Sequence, residues 1–314
     1  KEFNKGAIVS VDQLLNGKAA GVRITTPGGA PDTTPDIRIR GGASLMASNN
    51  PLIVIDGVPI GNENAAGIAN PFTLINPNDV ESFSILKDAS ATAIFGMRAS
   101  NGVIIITTKK GSSGAAQFNY SANATIGQID KKIDMMTGSE YTDFIHKYYP
   151  DRSQYLGYDD PNNTDVDDPL TPAVEGRILA DVDWQDQIYR TSISTDHTFS
   201  ARANLYKKIP FRFSLGYNKT EGLVKTSDYE RFTYSLKLTP KLLEDHLKID
   251  VNAKGSYSDK NAIDQDGVIY GALSMDPTKP VYGVPNGKFG DYFQETTLNG
   301  GQDRIDGANN PLAL

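Results

Sequence analysis

The segment Thr198–Asn218, TFSARANLYKKIPFRFSLGYN, decides the fold class of this chain. Apolar and polar residues alternate on both sides of the short connection Lys207–Pro210. Because successive side chains of a β-strand point to opposite faces of a sheet, this period of two predicts two strands, each with one apolar and one polar face.

Three further segments show the same alternation, namely Phe118–Ile126, Phe232–Leu238 and Leu247–Ala253. Together the five segments predict a sheet with one apolar and one wet face. A soluble antiparallel sheet would produce the same pattern, so a soluble, secreted, β-rich module that binds carbohydrate or peptide stays open as an alternative.

Three features favour a transmembrane β-barrel over a soluble sheet. Charged residues occur in the middle of the polar faces, as a water-filled lumen allows, and short connections alternate with longer ones except at Gly222–Glu230. Aromatic residues lie near strand ends, as an interfacial girdle requires; they are Phe118, Phe199, Tyr206, Phe211, Tyr217, Phe232 and Tyr257.

Upstream of the Gly/Ser-rich joint Gly111–Gly114 the sequence has a different character. Short apolar strands alternate there with Gly- and Asn-rich loops and brief helices. This pattern predicts a mixed α/β domain over residues 1–114, which we call the N-terminal domain. The predicted strands are Val22–Thr25, Asp36–Arg40, Leu52–Ile55, Ser82–Leu86 and Val103–Thr108.

The composition excludes several classes of function. The 314 residues carry a net charge of −7, which argues against nucleic acid as the main partner. The absence of cysteine excludes disulfides, thiol nucleophiles and Cys-ligated metals. No apolar run approaches the roughly 18 residues of a membrane-spanning helix, since the richest run, Val103–Ile106, has the length of a strand.

No catalytic motif stands out, and we predict that the protein is not an enzyme. His146, His197 and His246 are scattered without ligand spacing, and no nucleophile elbow or phosphate-binding loop occurs. Carboxylates paired only in space, as in a glycan-cleaving enzyme, stay open as an alternative. We predict no cofactor and no metal site.

Two local clusters have a functional and a structural interpretation. An acidic stretch could bind calcium, but its spacing does not fit an EF-hand and we expect a solvated loop; its residues are Asp159, Asp160, Asp165, Asp167 and Asp168. A stripe of apolar residues follows the capping box Thr137/Glu140 at helical spacing and consists of Tyr141, Phe144, Ile145 and Tyr148. It could stack on sugars, but we expect it to pin a loop helix onto neighbouring structure.

Several runs of the N-terminal domain resemble the plug of TonB-dependent outer-membrane transporters. These runs are DIRIRGG at Asp36–Gly42 and NPLIVIDGVP at Asn50–Pro59. The runs VESFSILKDASATAIFG at Val80–Gly96 and NGVIIITTK at Asn101–Lys109 resemble the SusC/RagA-like branch, as do WQDQIYR at Trp184–Arg190 and SMDP at Ser274–Pro277.

The resemblance implies a barrel of about 22 strands closed by a plug, located in the cell outer membrane. It also implies import of a bulky nutrient, a glycan or a peptide, driven by TonB–ExbB–ExbD and the proton-motive force, with a SusD-like surface lipoprotein as lid. Such a barrel needs roughly 220 strand residues before any loop. Because only 200 residues follow Gly114, we expect residues 115–314 to be the first strands and loops of an incomplete barrel, and the TonB box to lie outside this sequence.

The resemblance also places candidate site residues. The loops Ser44–Asn50 and Gly61–Phe72 are expected at the outer apex of the plug, facing cargo. The candidate cargo contacts are Met46, Asn49, Asn50, Asn62, Glu63, Asn64 and Phe72. The candidate polar contacts between plug and barrel are Arg38, Arg40, Glu81 and Arg98, for each of which solvated surface charge is the competing interpretation.

A topology follows if the chain leaves the plug on the periplasmic side at Gly111. The strand from Gln117 then runs outward, Gly127–Asp196 and the segment after Tyr257 are extracellular, and Lys207–Pro210 and Pro240–His246 are periplasmic. The predicted lipid-facing residues are Phe118, Tyr120, Phe199, Leu205, Phe213, Leu215, Tyr234, Leu236, Ile249 and Val251.

Overall fold

Two structural units make up the chain in the computed structural model. The first comprises Lys1–Gly127, Ser192–Gly222 and Ser227–Asn261, and the second comprises Gln128–Thr191, Leu223–Thr226 and Ala262–Leu314. The structure describes residues 10–15, 17, 20–25, 31, 33–39, 49–60, 70–87, 93–112, 114–157, 179–206, 208–244, 246–261, 263–282, 288–294, 296–299, 302–305 and 309–313. No helix in these ranges is long and apolar enough to cross a membrane.

A four-stranded mixed sheet forms the centre of the N-terminal domain. Its strands are β3 (Leu52–Ile55), β4 (Val58–Ile60), β5 (Val80–Leu86) and β6 (Val103–Thr108), in the order β4-β3-β6-β5. Strands β3 and β6 are parallel, and the other two pairs are antiparallel. The predicted strands are confirmed to within two residues, and β4 is an addition that the turn Asp56–Gly57 makes possible.

A second, two-stranded sheet and a short helix complete this domain. Helix α1 is Val11–Leu15, and β1 (Val22–Thr25) pairs with β2 (Asp36–Ile39). Ile37 and Ile39 are buried whereas Arg38 is exposed, because the strand alternates between the core and solvent. The buried core consists of Val11, Leu15, Ile37, Ile39, Ile53, Ile55, Phe72, Ile75, Ile104 and Ile106.

Two single-turn 3₁₀ helices connect β4 to β5. They are Pro71–Leu74 and Pro77–Asp79, and each begins after an asparagine whose side chain accepts a backbone N–H two residues ahead. Proline at the first helical position suits such starts because its fixed φ is already helical. A third 3₁₀ segment, Ala93–Ala99, lies between β5 and β6.

Five long antiparallel strands form what we call the large sheet. They are β7 (Gln117–Gly127), β8 (Ser192–Leu205), β9 (Ile209–Glu221), β10 (Asp228–Leu238) and β13 (Val251–Asn261). They lie in the order β7-β8-β9-β10-β13. The prediction of one strand over Leu247–Ala253 is wrong in its bounds, since Leu247–Lys248 (β12) pairs instead with Lys241–Leu242 (β11) in a small hairpin and β13 begins at Val251.

The large sheet buries its polar face and exposes its apolar face. The face in contact with the N-terminal domain, which we call the inner face, carries buried polar residues that include Thr198, Arg212, Ser214, Arg231 and Thr233. On the opposite outer face Phe118 is 72% exposed and Phe232 is 51% exposed. This inversion of the usual soluble arrangement is what a strand with lipid on one side and a polar interior on the other requires.

The second unit has its own small core. Helix α2 (Gly138–Tyr148) starts with the predicted capping box, in which Thr137 and Glu140 exchange side-chain and backbone hydrogen bonds. Helices α3 (Trp184–Ile188) and α4 (Gln265–Ser274) pack together. Their buried residues are Trp184, Ile188, Val224, Val268, Ala272 and Met275. The remaining elements are the 3₁₀ helices Pro150–Tyr155 and Lys288–Asp291 and the paired strands β14 (Thr296–Asn299) and β15 (Gln302–Ile305).

The aromatic stripe of α2 is buried on one side only. Ile145 is buried, Tyr141 and Phe144 are half-buried, and Tyr148 is exposed. The helix is therefore pinned through Ile145, as predicted. The predicted acidic loop from Asp159 to Asp168 lies outside the described residues.

Candidate functional site

The candidate site is the polar interface between the N-terminal domain and the inner face of the large sheet. The domain contributes the turn after β3 and the segment that contains the two 3₁₀ helices. The sheet contributes polar and cationic side chains from β8, β9, β10 and β13. All of these residues belong to the first structural unit.

Asn76 makes a close approach to the sheet. Its amide nitrogen donates to the hydroxyl of Thr198 over 2.9 Å, and Asn78 donates to the same hydroxyl over 3.0 Å. Gly216 makes room for this contact, because a Cβ built there would overlap the Asn76 amide and the Thr233 hydroxyl. The glycine therefore lets Asn76 reach the surface of the sheet.

Asp79 forms a buried ion pair with the sheet. Its carboxylate lies 2.6 Å from Nη2 of Arg212 and also accepts a hydrogen bond from Ser214. The side chains of Asp79 and Arg212 are only 5% and 7% exposed. A charge-assisted bond shielded from water in this way is stronger than a surface pair, and leaving either partner alone would be costly.

Asp56 makes the second buried ionic contact. The Asp56–Gly57 turn has positive φ at both residues, as the tightest hairpin turns require. Thr108 holds the carboxylate in place from within the domain, through its backbone N–H at 2.8 Å and its hydroxyl at 2.6 Å. From the sheet, Lys254 and Asn252 donate to Asp56, and Nζ of Lys237 lies 3.4 Å away.

These partners determine the charge state of Asp56. Burial alone would raise the pKa of this carboxyl group, but the hydrogen bonds from Lys254 and Thr108 outweigh burial and hold the pKa well below its usual range. Asp56 is therefore ionised at any physiological pH. The two lysines and this carboxylate act as a buried ion cluster that links the domain to the sheet.

Arg231 of the large sheet makes a third contact with the N-terminal domain. Arg231, buried on β10, donates from Nη1 to the backbone carbonyl of Thr73 over 3.0 Å. Burial raises the pKa of Asp12 in α1, and both its hydrogen bond with Ser10 and the charge of Arg231 oppose that shift. Arg231 thus interacts with α1 and the first 3₁₀ helix together.

A cavity of about 710 Å³ lies beside the Asp56 cluster, between the N-terminal domain and the sheet. Val58 and Ile60 line it from the domain, and Asp250, Asn252 and Lys254 line it from the sheet. The interface is therefore polar, partly hollow and held by a few strong contacts. Such an interface can hold a domain in place and can be broken locally without exposing a large apolar core.

Three of the residues predicted to join plug and barrel, Arg38, Glu81 and Arg98, take no part in the contacts described above, and their role stays a prediction. Arg38 pairs over 3.1 Å with Asp36 of its own strand, and Glu81 and Arg98 are exposed. Arg40 lies outside the described residues. The contacts that do form come from Asp56, Thr73, Asn76, Asn78 and Asp79, which the sequence analysis did not single out. The sequence features that could have indicated these residues are the Asp56–Gly57 dipeptide, which favours a tight turn, and the two Asn-Pro dipeptides at which the 3₁₀ helices begin.

The predicted cargo-facing residues also need one correction. Phe72 is 1% exposed and belongs to the core of the N-terminal domain, so it is not available to cargo, because its 3₁₀ helix turns it inward. Asn50 accepts the backbone N–H of Ile37 over 3.0 Å and thereby fixes β2; it and Asn49 are half-buried. Met46, Asn62, Glu63 and Asn64 lie outside the described residues, and their role stays a prediction.

Comparison with known proteins relates this geometry to a family. Residues 1–103 match the family described as TonB-dependent Receptor Plug Domain. The chain is 45% identical to TonB-dependent receptor SusC of Bacteroides thetaiotaomicron and 33% identical to TonB-dependent receptor P3 of Formosa agariphila. These matches cover 90% and 98% of this chain but only 26% and 27% of the relatives, so the chain spans about a quarter of their length.

A solved structure shows the same arrangement of domain and strands. The RagAB peptide importer in its closed-closed state superposes with a TM-score of 0.70 at 26% identity. The match covers 96% of this chain and 35% of that one. The predicted combination of a plug with barrel strands is therefore confirmed, whereas the boundary at residue 114 stays a prediction.

Proposed function

Because this chain belongs to the SusC/RagA-like branch of the TonB-dependent receptors, which are outer-membrane proteins, we propose that the whole protein imports a bulky nutrient. The N-terminal domain is the plug of such a receptor, and the large sheet is part of its barrel wall. The family transports and does not catalyse, and we propose no catalytic role for this chain.

The observation that carries the proposal is the way the plug is held. Two buried aspartates, Asp56 and Asp79, engage cations of the inner face across an otherwise hydroxyl- and amide-rich wall. A plug held by a few ionic contacts closes the lumen and can still be displaced when force is applied. Energy for the displacement would come from TonB–ExbB–ExbD and the proton-motive force.

The proposed cargo is an oligosaccharide or a peptide, and the proposed partner is a SusD-like surface lipoprotein. Support for the partner comes from the similarity to SusC and to the RagAB importer. RagAB is a peptide importer, which supports peptide as one of the two cargo classes.

The soluble binding module, the alternative drawn from the sequence, does not fit the outer face of the large sheet. Phe118, Tyr120, Tyr234 and Tyr257 are all more than half exposed there. A soluble protein rarely exposes an apolar patch of this extent, because water would drive it to associate.

The test is uptake by the native organism with and without TonB. Labelled oligosaccharides and peptides are supplied to the wild-type strain, a strain that lacks the full-length receptor and a strain that lacks TonB. We expect both deletions to abolish uptake of the same cargo. Uptake that continues without TonB, or purified full-length protein that stays monodisperse without detergent, would contradict the proposal.

A further inference from the structure

A row of cations crosses the inner face of the large sheet. Arg202 on β8 is paired in register with Arg212 on β9, and Arg212 is paired with Lys237 on β10. Lys237 is opposite Asn252 on β13, and Lys254 lies two residues further along that strand. We call Arg202, Arg212, Lys237 and Lys254 the cationic row.

Such a row is unfavourable unless anions compensate it. Residues directly opposite each other in an antiparallel sheet have Cβ atoms roughly 5 Å apart, and like charges in that position destabilise the pairing. Plug carboxylates supply the compensation. Asp79 pairs with Arg212, and Asp56 pairs with Lys237 and Lys254.

The compensation covers only part of the row. Four cations face two plug carboxylates, and Arg202 instead donates to the neutral side chain of Gln117 over 2.7 Å. Burial is the main cause that lowers the pKa of the plug residue Lys109; repulsion from Arg212 and Arg202 lowers it further, while Asp79 and Glu81 oppose the shift. The charges of Arg212 and Arg202 therefore act on a residue of the plug.

Two residues of the cationic row are reachable from the cavity. Lys237 and Lys254 line its wall together with Lys110 of the plug. The next register line, toward the β9–β10 connection, consists of hydroxyl and amide side chains followed by Lys254 at its end; the uncharged members are Asn119, Ser200, Ser214 and Ser235. The cationic row thus lies at the end of the inner face where the chain leaves the plug, next to hydroxyl and amide side chains.

From this arrangement we propose that the cationic row is an anion-binding site of the transport path, which takes carboxylate groups of the cargo when Asp56 and Asp79 withdraw. The inference rests on the proposed import function and adds a cargo class to it, namely acidic oligomers. The plug aspartates occupy the site in the resting state, and cargo carboxylates replace them during passage. Acidic peptides and uronic acid oligosaccharides share the required chemistry.

The experiment uses purified full-length protein in detergent. The variant Asp56→Asn/Asp79→Asn removes both plug charges while keeping side-chain size, so the row loses its resident anions. The probes are tetraglutamate, tetragalacturonate and, as a neutral control, tetraglutamine, with binding measured by calorimetry at fixed ionic strength. Correct assembly is checked by heat-modifiable migration in gels.

We expect the double variant to bind at least one acidic probe at least roughly tenfold more tightly than the wild-type protein does, and tetraglutamine not to bind. Preference for tetraglutamate or tetragalacturonate then identifies peptide or glycan as the source of the carboxylate. Adding Arg212→Gln and Lys237→Gln should abolish the gain. Adding Lys219→Gln and Lys248→Gln, the matched loss of two lysines outside the row, should preserve it.

Equal binding of the acidic probes to wild type and double variant would overturn the inference, as would a gain that survives Arg212→Gln and Lys237→Gln. If the double variant does not assemble, Asp79→Asn alone exposes Arg212 and gives the same comparison. TonB-dependent uptake by the wild-type protein together with failed probe binding would overturn this inference while leaving the proposed function intact.

Discussion

Single residues determine how the plug is held against the wall. The buried carboxylate of Asp56 gathers donors from β6, β10 and β13, and Gly216 gives Asn76 room to reach Thr198. Each of these contacts depends on one charge or on the space left by one missing side chain. The effect of a single substitution on the stability of the seated plug can therefore be predicted.

Replacing Asp56 by Asn should loosen the plug and change its response to pH. The lowered pKa of Asp56 means that its charge stabilises the interface above the unfolded-state pKa of about 3.9 and that this contribution is lost as pH falls through the folded-state value. We expect wild-type plug stability to decrease below about pH 4 and the decrease to be smaller in Asp56→Asn. At neutral pH the variant should lose roughly 2–3 kcal/mol.

The measurement is urea-induced plug unfolding in the full-length protein, followed by protease sensitivity of the N-terminal domain between pH 3 and 8. Asp36→Asn is the matched control, since Asp36 pairs with Arg38 at the surface. Identical pH profiles for wild type and Asp56→Asn would show that Asp56 does not carry this dependence.

Replacing Gly216 by Ala should prevent the plug from seating fully. The added methyl group overlaps the Asn76 amide, and one of the two side chains must move at a cost of about 1–3 kcal/mol. We expect faster proteolysis of the plug and unchanged assembly of the barrel. The control is Ser256→Ala, which changes an exposed residue of β13 on the same inner face of the large sheet. If the plug of Gly216→Ala is as well protected from protease as the wild-type plug, this account of the close approach is contradicted.

At the scale of elements, the antiparallel order of the large sheet determines which connections share an end. The turn between β8 and β9 lies at one end with the β10–β13 connection, and the segment between β7 and β8 begins at the other. Gly111 packs against the backbone of Pro210 and Phe211. The chain therefore leaves the plug at the end that carries the β8–β9 turn.

This arrangement leads to a topology prediction. If the plug exit faces the periplasm, a cysteine introduced at Asp151 is extracellular and one at Lys208 is periplasmic. Both positions are exposed, so accessibility of the side chain itself does not limit labelling. With a membrane-impermeant maleimide on intact cells, we expect labelling of Asp151→Cys and labelling of Lys208→Cys only after permeabilisation; the reverse pattern would reverse the orientation.

At the scale of the whole molecule, the two faces of the large sheet meet different surroundings. Apolar side chains cover the outer face, while the inner face contacts the plug through polar groups. Lipid tolerates a charge on a barrel strand poorly, whereas a hydrated inner face tolerates it well. The effect of a new charge on folding stability should therefore depend on whether the substituted residue lies on the outer or the inner face of the sheet.

Leu215→Arg and Ser256→Arg test this directly in the full-length protein. Leu215 lies on the outer face in register with Phe199 and Tyr234, and Ser256 is exposed on the inner face. Folding into lipid vesicles is measured by heat-modifiable migration. We expect Leu215→Arg to lower folding stability by roughly 2–4 kcal/mol and Ser256→Arg to have little effect; equal effects would show that the outer face does not meet lipid.

Local features of the fold were predictable because they depend on neighbouring residues. The alternation in Thr198–Asn218 predicted β8 and β9, and the Thr137/Glu140 pair predicted the start of α2. The split of Leu247–Ala253 was missed because a local hairpin between β11 and β12 competes with the strand period. Burial of Phe72 was missed because the orientation of a 3₁₀ turn depends on the core beneath it.

By itself the sequence determined that the large-sheet strands have two unlike faces and that the N-terminal domain resembles a plug. Only the tertiary structure decided which face is buried and which carboxylates meet which cations. Asp56 and Lys254 are 198 residues apart, and Asp79 and Arg212 are 133 apart. Such pairs depend on the register of the strands and on how the domain sits against the sheet. Alternation along one strand gives no information on either, because a period of two distinguishes the two faces without specifying what each face contacts.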